Sequence, residues 1–276
     1  MLLVVVQVIL VSVSSHARDV TFSGKTDYTK EEMAQIGIYK SYKDLMEDIT
    51  GPRFANSSLI QSLVQVFKVQ CIPPEPLPEP PVRKVFIALE GTHNSGRNNM
   101  LRRMAQMYQG YALTNPPRCL AHLKADFHGT KHERKVYLAL SNYASAFDVQ
   151  SVWHQHPVFM SSYYYDQLAF NIAWGHATPA DLPPAGSNIY EWPEDLLIPD
   201  LTVLLNAHHS IRNRISTTKE NYMFQRKIVT AFDRFVDPPI LTVNATNFYE
   251  DSFFKIRNYI QKIWGYTLTV NATPEK

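Results

Sequence analysis

Short apolar runs alternate with longer amphipathic stretches through the second two thirds of the chain. VFIALE (85–90), PVFM (157–160), DLTVLLN (200–206) and PILTVN (239–244) are too short for helices and read as buried strands. Helices are expected over residues 97–109, 131–149 and 163–175, and along FYEDSFFKIRNYIQKIW (248–264). Strands that alternate with helices of this length predict an α/β fold whose parallel sheet is covered on both faces. Upstream, residues 30–48 and 57–70 read as two helices, the second with Leu59, Leu63, Val66 and Phe67 on one face. That face is too small for an independent core, so residues 18–70 are expected to form a helical extension. CIPPEPLPEPPVRK (71–84) holds six prolines and reads as an extended linker, because proline neither donates to a ladder nor continues a helix. The expected domain is then 85–276. The hexamer LTVNAT occurs at 241–246 and 268–273, too short a match to define a repeat.

Composition narrows this picture. With 276 residues, 45% of them hydrophobic, the chain can bury one sizeable core. Its 27 basic and 25 acidic residues nearly balance, so nothing points to nucleic acid as a partner. The two cysteines, Cys71 and Cys119, are too few for a disulfide framework; one bridge or two free thiols are both open. MLLVVVQVILVSV at the N-terminus, with Ser14, Ser15 and Ala17 behind it, has the h-region and small-residue zone of a secretory signal but no basic n-region. Residues 1–17 are therefore expected to direct the chain to the secretory pathway. The stretch is shorter than the roughly 20 residues of a membrane span. Glycosylation triplets begin at Asn56, Asn244 and Asn271.

EGTHNSGRNNM (90–100) carries the candidate chemistry. It follows a strand, opens a helix and places Gly91 and Gly96 at the spacing of a phosphate-binding loop. Such loops curl backbone N–H groups round an anion at a helix N-terminus, while a Lys bridges phosphates and a hydroxyl holds Mg²⁺. Here Arg97 and Asn98 stand at those two places. The loop residues expected to hold a nucleotide are Glu90, Gly91, Ser95, Gly96, Arg97 and Asn98. SGKT (23–26) has the Gly-Lys-Thr tail, but Asp19 replaces the leading glycine and no strand precedes it.

IYEWPEDLLIPDLTVLLN (189–206) resembles the thymidylate kinase family, in particular its mitochondrial UMP–CMP kinases. VFIALEG (85–91), NPPRCL (115–120), LSNYASA (140–146), LPPAGSNIY (182–190) and VNAT (243–246) match in the same order. The resemblance spans about residues 82–265. It implies a three-layer α/β/α P-loop fold with about five parallel strands, and transfer of phosphate from Mg-ATP to UMP, CMP, their deoxy forms or dTMP. It further implies substrate contacts at Tyr137, Asn142 and Tyr163, a catalytic role for Arg97 and Arg212, and a Mg²⁺ contact at Asn98. ATP, Mg²⁺ and pyrimidine monophosphates are the expected ligands of an active member. Relatives often dimerise through helices, and their mitochondrial location is the alternative to secretion.

The match fails where the chemistry lies. His93, Arg97 and Asn98 replace the family's Asp, Lys and hydroxyl residue, and Ser161-Ser162-Tyr163 stands where the family has Asp-Arg-Tyr. The lid is shortened to about STTKE (216–220), with Lys219 as its cation. Phosphoryl transfer rests on positioning and charge neutralisation. One lost donor costs about 10²–10³ in rate, so three such losses predict a fall of roughly 10⁴-fold or more even without full additivity. The expectation is a kinase that is weakened or catalytically lost, and otherwise a nucleotide-binding or scaffolding protein.

Other clusters read as structural. His122, His128, His132, His154, His156, His208 and His209 form no His-Glu-x-x-His motif, so a zinc site is not expected. YYYD (163–166) offers rings for base stacking or for the core, and packing is the expectation. Ser161 and Ser162 lack a nucleophile elbow.

Overall fold

The computed structural model describes residues 24–75, 77, 80–92, 95–130, 132–206, 219–245 and 249–271, without the side chains of 219–221 and 271. Seven strands occur among them: β1 (Val82–Lys84), β2 (Phe86–Gly91), β3 (Tyr111–Thr114), β4 (Val158–Ser161), β5 (Leu201–Asn206), β6 (Ile240–Asn244) and β7 (Thr269–Asn271). Five of these make one parallel sheet in the order β3-β4-β2-β5-β6. β1 and β7 pair antiparallel beside it. The order reverses on either side of β2, which puts the switch point of the sheet at the C-terminal end of that strand, where open α/β sheets bind ligands.

The alternation of side chains separates two cores. In β2, Phe86 and Ala88 face one core, and Ile87 and Leu89 face the other. In β4, Val158 and Met160 lie opposite Phe159 in the same way. The smaller core packs against the helices α4 (Arg97–Met107) and α9 (Tyr249–Trp264) through Met100, Met104, Phe253, Ile256 and Ile260. The larger core packs against α6 (His132–Val152), α7 (Tyr164–Trp174) and α8 (Lys219–Phe232). Three layers result, because a strand buried on both faces needs an apolar cover on each. The expected strands and helices after residue 85 all appear within a few residues of their predicted ends. β3 was not expected, since YALT lies at the sheet edge with most of its side chains exposed. The second LTV of the repeated hexamer belongs to β7 and its approach, whereas the first belongs to β6.

The N-terminal segment joins the larger core. The stretch read as one helix over 30–48 is two, α1 (Lys30–Gln35) and α2 (Tyr42–Thr50), with Ile36, Ile38 and Tyr39 buried in the turn between them. In α3 (Ser58–Val66) and the π-turn after it, Ile60, Leu63 and Phe67 are the buried positions, and Leu59 and Val66 pack at the edge. Polar contacts fix the dock. Asp195 accepts hydrogen bonds from Tyr42 N at 2.9 Å and from the Tyr143 hydroxyl at 2.8 Å. The side chain of Asn188 accepts from Tyr28 N at 2.9 Å and donates to Tyr28 O at 3.0 Å. The acceptor and donor thus come from the very stretch, 182–206, that carries most of the family resemblance.

The proline-rich segment is tied at both ends. Cys71 forms a disulfide with Cys119 of the short helix α5 (Arg118–Ala121), with Cα atoms 5.5 Å apart. At the other end Arg83 makes a bidentate pair with Asp200 at 2.6 and 2.9 Å, and Asp200 also accepts from Phe86 N at 2.7 Å. The start of β2 is thereby fixed against the start of β5. Among the described residues no helix is long and apolar enough to cross a membrane.

The bridge closes a sequence separation of 48 residues, which in the chain-entropy picture stabilises the fold by about 4 kcal/mol. Cys71→Ser is expected to lower the melting temperature by roughly 10 °C, and reductant should lower that of the wild type similarly while leaving the variant unchanged. Paired thermal melts with and without reductant check this.

Candidate functional site

β2 ends in Glu90 and Gly91, and α4 begins at Arg97 after a turn through Gly96. A side chain at Gly91 would put its Cβ 2.7 Å from the Leu205 carbonyl and 2.9 Å from Ser95 Oγ. Gly96 takes φ of +76°, the left-handed region that other residues adopt only at a cost. Both glycines are therefore required by the backbone path. Beyond Gly96, Asn99 N and Met100 N donate to the Gly96 carbonyl at 3.0 and 3.1 Å, and the Arg97 and Asn98 N–H groups open the helix as its first donors. His93 and Asn94 lie outside the described residues.

Arg97 does not extend from this loop to meet a ligand. Its Nη1 donates to the Gly91 carbonyl at 2.9 Å and pairs with Asp166 Oδ2. The other Asp166 oxygen accepts from Gly91 N at 2.9 Å. One carboxylate thus holds the end of β2 and the guanidinium together. Asp166 lies in the first turn of α7, where the helix dipole favours a negative charge. The pair is only about one fifth exposed on either side.

Glu90 lies beneath this pair, almost wholly buried, and accepts from Tyr163 N at 3.1 Å. Burial first, and then the neighbouring Asp166 charge, push its carboxyl well above the usual carboxylate range, although Arg97 and the Tyr163 N–H pull the other way. Glu90 thus holds its proton more tightly than an ordinary carboxyl, and Asp166 is the acidic residue that pairs with Arg97.

The next substituted position is also paired. Asn98 Oδ1 accepts from Ser161 Oγ at 3.2 Å. Ser161 is buried at the end of β4, and Ser162 after it adopts φ of +62° while donating its N–H to Leu89 O at 3.1 Å. A left-handed serine costs on the order of 1 kcal/mol. The residues that replace the two halves of the expected phosphate machinery therefore engage each other or a neighbour.

The remaining candidates are placed as follows. Tyr163 is buried, its ring edge-on to Phe86 and its hydroxyl donating to Leu197 O at 3.1 Å. The Tyr137 ring stacks on Phe127 at 4.6 Å and its hydroxyl donates to Leu120 O at 3.0 Å. Both rings serve as packing elements. Asn142 is buried and accepts from Asn115 Nδ2 at 2.6 Å, with the amide of Gln167 against its other side. Ser145 Oγ donates to Asn115 as well, so a file of polar side chains runs behind the C-terminal ends of β3 and β4. Ser95 Oγ is buried with no hydrogen bond among the described residues. Arg212 lies outside those residues, as do 216–218 of the shortened lid. No cluster of three or more His, Cys, Asp or Glu suited to a metal occurs among the described residues. Tyr165 stacks on Phe235 at 4.4 Å, and all three tyrosines of YYYD belong to the core, whereas Asp166 does not.

Asp166 is the functional residue that sequence reasoning passed over. Its signal was present: an unpaired Arg in the loop and an acidic residue opening the helix after the altered Ser-Ser-Tyr element.

The sheet order, the loop after its central strand and the covering helices define a nucleoside monophosphate kinase-like P-loop fold. No family model matches the chain. In sequence it is related to human UMP-CMP kinase 2, mitochondrial, with 26% identity over 189 residues, covering 63% of this chain and 42% of that protein. The chain thus spans less than half the length of this curated relative. Its fold matches that of thymidylate kinase from Candida albicans with a TM-score of 0.55, at 16% identity, covering 70% of this chain and 97% of the other. The chain is thus similar in sequence to a UMP-CMP kinase and in fold to a thymidylate kinase.

Two measurements test the site. Asp166→Ala leaves Arg97 and Gly91 N without their acceptor and should destabilise the protein by about 1–3 kcal/mol, read by urea unfolding. A carboxyl with a raised folded pKa favours folding fully below its ordinary 4.5, and that contribution is lost as pH rises through the raised value. Glu90→Gln removes the loss. From about pH 5 upward its melting temperature should therefore fall less, or rise more, than that of the wild type.

Proposed function

We propose that this protein is a thymidylate kinase-like member of the nucleoside monophosphate kinase fold in which phosphate transfer to UMP, CMP or dTMP is weakened or lost. The observation that carries this reading is the Arg97–Asp166 pair, closed over Gly91. In phosphoryl transfer the protein's main contribution is fixed positive charge around the phosphates. Here the cation at the lysine position is neutralised by a carboxylate from α7. A triphosphate must break that pair before it gains Arg97, and it then faces the released Asp166.

The surrounding oxygens are also a poor fit to Mg-ATP. Mg²⁺ prefers carboxylate and hydroxyl oxygens in octahedral array. Near the loop, Glu90 is buried and reluctant to ionise, Asp166 is paired with Arg97, and Asn98 offers an amide oxygen already accepting from Ser161. A second reading is retained because one feature favours it. Gly91 and Gly96 keep the loop backbone and the start of α4 in the shape that accepts an anion. Residual nucleotide binding without transfer, in a scaffolding or interaction role, is consistent with that shape.

The test is a coupled assay of the full chain with Mg-ATP and UMP, CMP or dTMP. Ordinary enzymes turn over at about 10 s⁻¹, so a loss of roughly 10⁴-fold predicts about 10⁻³ s⁻¹ or less. Turnover near 1 s⁻¹ that disappears in Arg97→Ala would overturn the proposal. In parallel, Asp166→Asn frees the guanidinium and is expected to tighten ATP binding by on the order of 10-fold, read by calorimetry. No ATP binding by either form at millimolar nucleotide would leave scaffolding as the surviving role.

A further inference from the structure

We infer that Asn56 is an N-glycosylation site and that the chain matures in an oxidising, glycosylating compartment. This rests on features remote from the phosphate loop and is independent of any residual kinase activity.

The first observation is the disulfide. The chain has two cysteines, and both are used in the Cys71–Cys119 bridge, so no thiol remains free. Such bridges persist where thiols are oxidised and are rare in the cytosol. This one also holds structure: it fastens the end of the N-terminal helical segment to α5, on the kinase-like body. Both thiols lose a proton, and two electrons pass to a disulfide-bearing oxidant by exchange.

The second observation is the presentation of the triplet Asn56-Ser57-Ser58. Residues 52–56 form the turn between α2 and α3; Phe54 is buried beneath it, while Asn56 and Ser58 are exposed. Ser57 is the N-cap of α3, its hydroxyl accepting from Ile60 N at 3.4 Å, so the middle residue is fixed by folding while the acceptor and the hydroxyl face solvent. A bulky glycan on Asn56 would extend into water without displacing a core residue. The other two triplets are placed differently. Asn244, although exposed, ends β6, paired with Asn206 and with its carbonyl taken by Ser252 Oγ at 3.2 Å, at the C-terminal end of the sheet where the phosphate loop also lies. Asn271 ends β7, paired with Val82, and the hydroxyl residues of both triplets lie outside the described residues.

The transfer itself balances. The Asn56 amide nitrogen attacks the anomeric carbon of a lipid-diphosphate-linked oligosaccharide and gives up one proton. The new bond is N–C; the sugar C–O bond breaks and the lipid diphosphate leaves.

The test expresses the full chain in secreting eukaryotic cells and compares gel mobility before and after peptide N-glycosidase. One glycosidase-sensitive step is expected to be present in the wild type and absent from Asn56→Gln and from Ser58→Ala. Peptide mass spectrometry of the wild type should find Asn56 converted to Asp after glycan removal, so the assignment stands or falls even if a variant misfolds. Non-reducing and reducing peptide maps should give the linked Cys71 and Cys119 peptides. A wild type that shows no glycosidase-sensitive step would overturn the inference. An unmodified Asn56 with glycan elsewhere, or a reduced Cys71, would overturn it as well.

Discussion

The centre of this structure is a single carboxylate, Asp166, which accepts at once from the Arg97 guanidinium and from the backbone of Gly91. The rest of the site follows from this placement. It fixes the end of β2 relative to α7, because Gly91 belongs to one and Asp166 to the other. It adds to burial, the larger cause, in raising the Glu90 carboxyl above the usual carboxylate range. It also pairs the loop cation within the fold. A P-loop normally stores positive potential at a helix start; here that potential is balanced from within the fold.

The substituted positions are therefore not scattered damage. Arg97 replaces a lysine-type residue and finds Asp166, while Asn98 replaces a hydroxyl residue and finds Ser161, itself at a position where the resemblance implies an aspartate. Asn98 and Ser161, exchanged at separate points of the sequence, meet in space as a hydrogen-bonded pair. Buried polar groups left unmatched are costly, so a loop that loses its ligands either loosens or acquires internal partners. This one has acquired partners, and it keeps the glycine geometry that the backbone path itself demands.

The N-terminal segment gives the fold a second layer of constraint. Its helices contribute Met33, Leu45, Ile60 and Leu63 to the larger core, and Asp195 and Asn188 hold its backbone in place. The bridge then makes that dock covalent, at the far end of the helical stretch 58–71 from the exposed turn that presents Asn56. The N-terminal dock is thus held by apolar packing, hydrogen bonds and one covalent link, while the loop cation is paired within the fold.

By itself the sequence determined the layers, the sheet strands other than β3, and the loop with its two glycines. These depend on local periodicity and on short-range steric demands, which a linear pattern carries. IYEWPEDLLIPDLTVLLN was enough to indicate kinship, although not that its Asp195 receives the N-terminal helices. The edge strand β3 escaped notice because its side chains face water and leave no apolar run. The pairing of the cysteines, the turn that splits 30–48 and the shift of the buried face to Ile60 all depend on what lies opposite. The tertiary structure alone decided the state of the site. Whether Arg97 faces a phosphate or a carboxylate depends on Asp166, 69 residues away in sequence. Only the packing of α7 against β2 brings those two charges together.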